Sequence, residues 1–149
     1  MKHLMLSASL CMAATGALAG KAFVSNERGN TITVVDTDTW EVLTEFPGGN
    51  RPRGITVSPD GTKLYVCASD DNLVRVFDTE TYEELESLPS GPDPELFIIE
   101  PSGKRLYIAN EDDNLVTVTD TETHTIIAEV PVGVEPEGMG MSPDAKWVV

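Results

Sequence analysis

The sequence predicts an all-β fold, a β-propeller of four-stranded antiparallel blades built on a 42-residue repeat, and three observations carry that expectation. The chain matches itself at one fixed offset, without gaps, over three units. Each unit holds four short apolar stretches that alternate as half-buried strands do. Residues suited to tight turns separate those stretches.

The chain opens with Met1-Lys2-His3, an apolar run from Leu4 to Ala14, and the small-x-small triplet Ala17-Leu18-Ala19. That order reads as a signal peptide over 1–19, cleaved after Ala19 for export to the periplasm. The apolar run is shorter than the ~20 residues a spanning helix needs, so no membrane insertion is expected after cleavage. Cys11 follows the bulky Leu10, where a lipid-attachment motif wants a small side chain. Cys67 is then the remaining thiol of the exported chain; set between Val66 and Ala68, it reads as a small buried hydrophobe.

The propeller domain spans 20–149, with units at 22–63, 64–105 and 106–147 and the start of a fourth at 148. Equivalent positions recur without register loss: Asn30, Asn72 and Asn114; Asp36, Asp78 and Asp120; Pro52, Pro94 and Pro136. In the second unit the strands are expected at Leu64 to Ser69, Leu73 to Asp78, Glu84 to Leu88 and Leu96 to Glu100, with Val74 and Val76 on one face and Arg75 on the other. Val116, Thr117 and Val118 repeat that pattern in the third. Ser58-Pro59-Asp60-Gly61 sets proline where φ is fixed and glycine where φ must be positive. The third unit has Ala145 at the glycine position, which should strain that turn by roughly 1 kcal/mol. Asp36-Thr37-Asp38-Thr39 and its two counterparts read as aspartate-capped turns; they lack the glycine and distal glutamate of a calcium loop.

The chain carries 10 Lys plus Arg against 25 Asp plus Glu, a net charge of −15, which opposes binding to nucleic acid or anionic membranes. Its 40% hydrophobic content suffices for a packed core.

Leu64-Tyr65-Val66-Cys67-Ala68 and Leu106-Tyr107-Ile108-Ala109-Asn110, with the preceding turn Val57-Ser58-Pro59-Asp60-Gly61, resemble YVTN-type propeller repeats along the whole exported chain. The stretches Ser90 to Phe97, Ala109 to Val118 and Gly133 to Met139 resemble the PQQ-dependent catabolism-associated β-propeller proteins. That resemblance implies an exported, non-catalytic binding or scaffold module, accessory to a PQQ-dependent (quinoprotein) alcohol oxidation system. Its implied partner is a periplasmic quinoprotein dehydrogenase or cytochrome system. It also implies a ring of about seven blades, of which about three are present here, so a fragment is expected. Self-association of partial rings through open blade edges is the alternative.

In propellers the loop leading into each innermost strand shares a face with the loop between the second and third strands. The first kind of loop contributes Arg51 and Arg53, then Asp93 and Glu95, then Glu135 and Glu137. The second kind contributes Asn26, Glu27 and Arg28, then Asp70 and Asp71, then Glu111, Asp112 and Asp113. These positions change sign between units while the scaffold around them recurs, as a binding face grafted on a framework would. A basic or mixed-charge protein patch, or a cation, would suit it.

No catalytic, cofactor-binding or metal-ligating set is expected, because the exported chain lacks a haem attachment motif and offers one Cys and His124 alone. His124 falls at the turn position of Trp40 and Tyr82, where it reads as surface packing. The enzyme alternative is a lactonase-like hydrolase with a metal or carboxylate site in the central channel, for which Glu95 and Glu137 could serve.

Overall fold

The computed structural model describes residues 20–149; the expected signal peptide lies outside the described residues. Eleven strands follow one another: β1 (Lys21–Asn26), β2 (Thr31–Asp36), β3 (Val42–Pro47), β4 (Pro52–Val57), β5 (Lys63–Ala68), β6 (Leu73–Asp78), β7 (Glu84–Pro89), β8 (Pro94–Ile99), β9 (Arg105–Asn110), β10 (Leu115–Asp120) and β11 (Thr125–Pro131). They form three antiparallel sheets, β1-β2-β3, β4-β5-β6-β7 and β8-β9-β10-β11. The fold is the expected all-β propeller, and each of the two four-stranded sheets is a blade.

Each blade is offset from the sequence repeat by one strand, because the last strand of a unit opens the next sheet. Neighbouring sheets approach most closely along β1, β4 and β8 and hardly touch at β7 and β11. The sheets therefore splay outward, and β4 and β8 are the innermost strands that border the central channel of a propeller. At Gly54 in β4, an added Cβ would lie 2.5 Å from the Glu95 carbonyl oxygen of β8. Only a residue without a side chain permits that approach.

The middle sheet corrects the expectation of half-buried strands. From Leu64 to Ala68, β5 has no exposed side chain. Leu64 and Val66 face one way, against Ile32, Phe77, Phe23 and Phe46. Tyr65 and Cys67 face the other way with Val74, Val76 and Leu88, against Leu106 and Ile108. Stacked blades cover both faces of an interior sheet, so alternation there sorts residues between two cores, and not between core and water. Thr117 departs for the same reason: it is fully buried and donates to Asn110 Oδ1 at 2.7 Å. Burial raises the Cys67 thiol well above its ordinary range, as the hydrophobe reading requires.

The turns follow the sequence closely. Gly61 and Gly103 take φ of 78° and 77°, and Ala145 is forced to 55° at the same point. The Asp36, Asp78 and Asp120 carboxylates each accept from two backbone N–H groups, two and three residues on, at 2.8 to 2.9 Å. From Gly138 to Ser142 the chain forms no further strand: Gly140 and Val149 exchange backbone hydrogen bonds at 2.7 and 2.9 Å beside an isolated bridge between Met141 and Val148. Gly138 and Gly140 supply no side chains to hold that segment against a neighbour.

Candidate functional site

The site lies where β4 and β8 begin, at one end of the innermost strands. Arg51 and Asp93 are equivalent residues one repeat apart, as are Arg53 and Glu95, so the repeat sets opposite charges at equal heights on adjacent strands. Arg51 and Asp93 both adopt left-handed backbone, with φ of 54° and 42°. Such geometry is costly away from glycine and persists only where neighbours fix it. The recurring asparagines do so: Asn30 Oδ1 accepts from the Arg51 N–H and Asn72 Oδ1 from the Asp93 N–H, both at 2.9 Å. Ser69 ties the two strands together, donating its hydroxyl to the Pro94 carbonyl at 2.6 Å and its N–H to the Arg51 carbonyl at 3.1 Å.

Glu95 is the centre of the cluster, with a side chain only 1% exposed. Arg51 Nη2 donates to its Oε1 at 3.1 Å, and Arg53 Nε lies 2.5 Å from its Oε2. Arg51 Nη1 donates to Asp93 Oδ1 at 2.8 Å, and its Nε to Glu27 Oε1 at 3.4 Å. Asp70 stands 3.7 Å from the Arg51 guanidinium, and Glu27 3.9 Å from that of Arg53. Glu111 completes the group, since one carboxylate oxygen from each of Asp93, Glu95 and Glu111 falls within 4.8 Å of the others.

Burial pushes the Glu95 carboxyl up to about 7; Arg53 and Arg51 pull it down, whereas Asp93 and Glu111 add to the rise. Asp93 is raised too, by burial first, against the pull of Arg51 and with help from Asp112 and Glu111. Two carboxyls with raised pKa values, one of them near neutrality, form a pair suited to moving a proton at ordinary pH.

Of the residues singled out in the sequence, the fold brings together Arg51, Arg53, Asp70, Asp93, Glu95 and Glu111. It leaves Asp71 aside, bound to Arg75 Nη2 at 2.8 Å and to the Asn50 N–H at 3.0 Å. Asp112, Asp113, Glu135 and Glu137 are exposed and outside the clamp. Glu137 therefore does not share the buried setting of Glu95. Glu27 joins the clamp although its loop drew notice only as part of a charged rim. His124 sits in its turn at φ 56° and contacts Glu86 at 2.8 Å, between blades and away from the channel end.

A family model described as lactonase, 7-bladed beta-propeller, matches residues 18–128. Among solved structures, Kuenenia stuttgartiensis hydrazine synthase superposes with a TM-score of 0.80 at 30% identity, over 86% of this chain and 37% of its own. A Bacteroides uniformis protein described as a 6-phosphogluconolactonase gives 0.73 at 18% identity, over 86% of this chain and 43% of its own. One from Bacteroides fragilis, described likewise, gives 0.67 at 25% identity, over 76% and 36%. This chain thus spans less than half the length of each of these three structures. A search of curated proteins gives no match.

The family match corrects the expectation of a non-catalytic scaffold that is not an enzyme. The family is one of lactonases, so the hydrolase alternative is the reading that goes forward. The sequence offers this reading only as the alternative, with Glu95 among its candidates, because the channel-end residues stand a full repeat apart and each resembles an ordinary solvated loop charge.

Proposed function

The chain belongs to the seven-bladed β-propeller lactonase family, and from that premise we propose that it supplies a lactone-hydrolysing site centred on Glu95, Asp93 and Arg51. The observation that carries this reading is the fully buried Glu95 carboxyl, held between two arginines beside a second carboxyl with a raised pKa. Asp93 engages Arg51 through Oδ1, which leaves its other oxygen to take a proton from water. The water oxygen bonds to the lactone carbonyl carbon. The Arg51 guanidinium stabilises the charge that gathers on the carbonyl oxygen. The ring C–O bond then breaks, the ring oxygen takes up the proton, and the product is an open hydroxy acid. Glu95 orients both guanidiniums.

A second reading sets a divalent cation across Asp93, Glu95 and Glu111, whose oxygens converge within 4.8 Å. It requires the guanidiniums to leave Glu95.

The expected setting is the periplasm, reached through the signal peptide at 1–19. The likeness to PQQ-dependent catabolism-associated propellers fits this chemistry. Oxidising a cyclic hemiacetal yields a lactone, so a quinoprotein dehydrogenase would be the supplier of substrate and not a docking partner alone.

Acid release from a panel of five- and six-membered lactones tests the proposal. Wild type is expected to turn over at least one, Asp93→Asn to lose about 100-fold or more, and EDTA to leave the rate unchanged. Loss of the rate in EDTA supports the cation reading, and no turnover of any lactone overturns both.

A further inference from the structure

We propose that the site takes uncharged, polyhydroxylated lactones and discriminates against phosphorylated or carboxylated ones. This deepens the lactonase reading and rests on it. The first ground is that both channel-end guanidiniums are already engaged by carboxylates. Arg51 engages its Nε, Nη1 and Nη2 with Glu27, Asp93 and Glu95, at 3.4, 2.8 and 3.1 Å, so that three of its five N–H groups are taken and none of its nitrogens lacks a carboxylate partner. Arg53 is bound to Glu95 at 2.5 Å. Arginine recognises a phosphate or carboxylate by offering two parallel N–H bonds, and here those forks face carboxylates of the chain itself.

The second ground is the balance of charge around them. Glu27, Asp70 and Glu111 lie in or against the clamp, and Asp112 is near enough to raise the Asp93 carboxyl. Arg75, the next cation along β6, is tied to Asp71 and Glu84 at 2.8 and 2.9 Å. Arg28 is exposed on the turn between β1 and β2, with no ion-pair partner among the described residues. A dianion approaching this end would meet a net negative field, which lowers its local concentration and its on-rate.

The third ground is chemical fit. Ionised carboxylates accept hydrogen bonds and cannot donate them, so a rim of Asp and Glu pairs with the hydroxyl groups of a sugar lactone. The field also favours turnover of a neutral substrate. Hydrolysis converts it to a hydroxy acid that ionises at neutral pH, and the rim then repels the product.

The test compares kcat/KM for glucono-δ-lactone and its 6-phosphate with the full chain. The uncharged lactone is expected to be preferred by about tenfold or more, with the gap narrowing as ionic strength rises. In a triple variant of the exposed rim, Asp112→Asn, Asp113→Asn and Glu135→Gln, the ratio of kcat/KM for the phosphorylated lactone over the uncharged one is expected to rise several-fold. Equal rates, or preference for the phosphate, overturn the inference. So does a triple variant that moves both substrates alike. Calorimetric binding of gluconolactam and its 6-phosphate separates the two claims. If neither lactone is hydrolysed but the uncharged lactam binds more tightly, the lactonase reading fails and the charge inference stands. Tighter binding of the phosphorylated lactam, or of neither, overturns the charge inference.

Discussion

The two ends of the repeat behave differently. At the end carrying Asp36, Asp78 and Asp120, the same residue does the same work in every unit, accepting two backbone N–H groups to close a turn. At the end carrying Arg51, Asp93 and Glu135, the backbone is again the same, with φ of 54°, 42° and 54° and an asparagine Oδ1 bound to each N–H at 2.9 Å. The side chains there differ in sign. Recurrence marks residues whose task is the backbone; variation on a recurrent backbone marks residues free to take on chemistry.

The largest effect that would break this comparison comes from unequal substitutions at the two ends. Arg53→Ala removes the guanidinium 2.5 Å from a carboxylate that is 1% exposed. Stripping one partner from a buried ion pair costs about 3 kcal/mol, here with Arg51 still in place. Asp78→Ala removes a turn cap whose two N–H partners can turn to water, so its loss is expected to be the smaller. Urea denaturation at pH 8, where Glu95 is ionised, is expected to rank them in that order, and only Arg53→Ala, which disturbs the carboxylate that orients Arg51, is expected to lower lactone turnover. Equal losses in both assays would erase the distinction between the ends.

A smaller effect sharpens it through pH. The folded chain holds a proton on Glu95 up to about 7, above the ordinary 4.5. Between those values the folded state binds more protons than the unfolded one, so the Glu95 contribution to stability is full below 4.5 and is lost as pH rises through 7. Asp78 is shifted the other way, lowered by the Thr81 and Glu80 N–H groups, and its contribution is lost only as pH falls into the acid range. Melting temperatures from pH 4.5 to 8 are expected to fall for wild type from this group and to flatten in Glu95→Gln. An unchanged slope in the variant would show that Glu95 is ionised throughout.

The fold was legible in the sequence to a high degree, because a gapless repeat fixes strand order and turn chemistry fixes the hairpins. β6 matches its expected span residue for residue, and β7 and β8 differ only at their ends. What remained hidden was lateral. Nothing in β5 announces that both of its faces are covered, since that depends on blades stacking on either side. The clamp was hidden for the same reason. Arg53 and Glu95 meet only when two innermost strands lie side by side; the reversal of charge at equivalent positions one repeat apart places them on one face without saying which of them pair. Glu137, equivalent to Glu95, shows the limit of that signal: it is exposed and belongs to no clamp.

The smallest effect concerns a place where the recurrent end departs from its own rule. Gly61 and Gly103 hold φ of 78° and 77° in their turns, and Ala145 is held at 55°. Its turn is otherwise intact, with the Ala145 N–H donating to the Ser142 carbonyl at 2.8 Å and Ser142 Oγ bound to Asp144 at 2.7 Å. A methyl group in left-handed backbone costs about 1 kcal/mol, partly offset by the greater freedom that glycine brings to the unfolded chain. Ala145→Gly is therefore expected to stabilise by about 0.5 kcal/mol. Because the surrounding segment is mostly exposed, the gain should appear as slower amide hydrogen exchange from Ser142 to Trp147 and as little change in global melting. Faster exchange in the variant would mean that the hydrogen bonds of this turn, and not the residue at its left-handed position, set its stability.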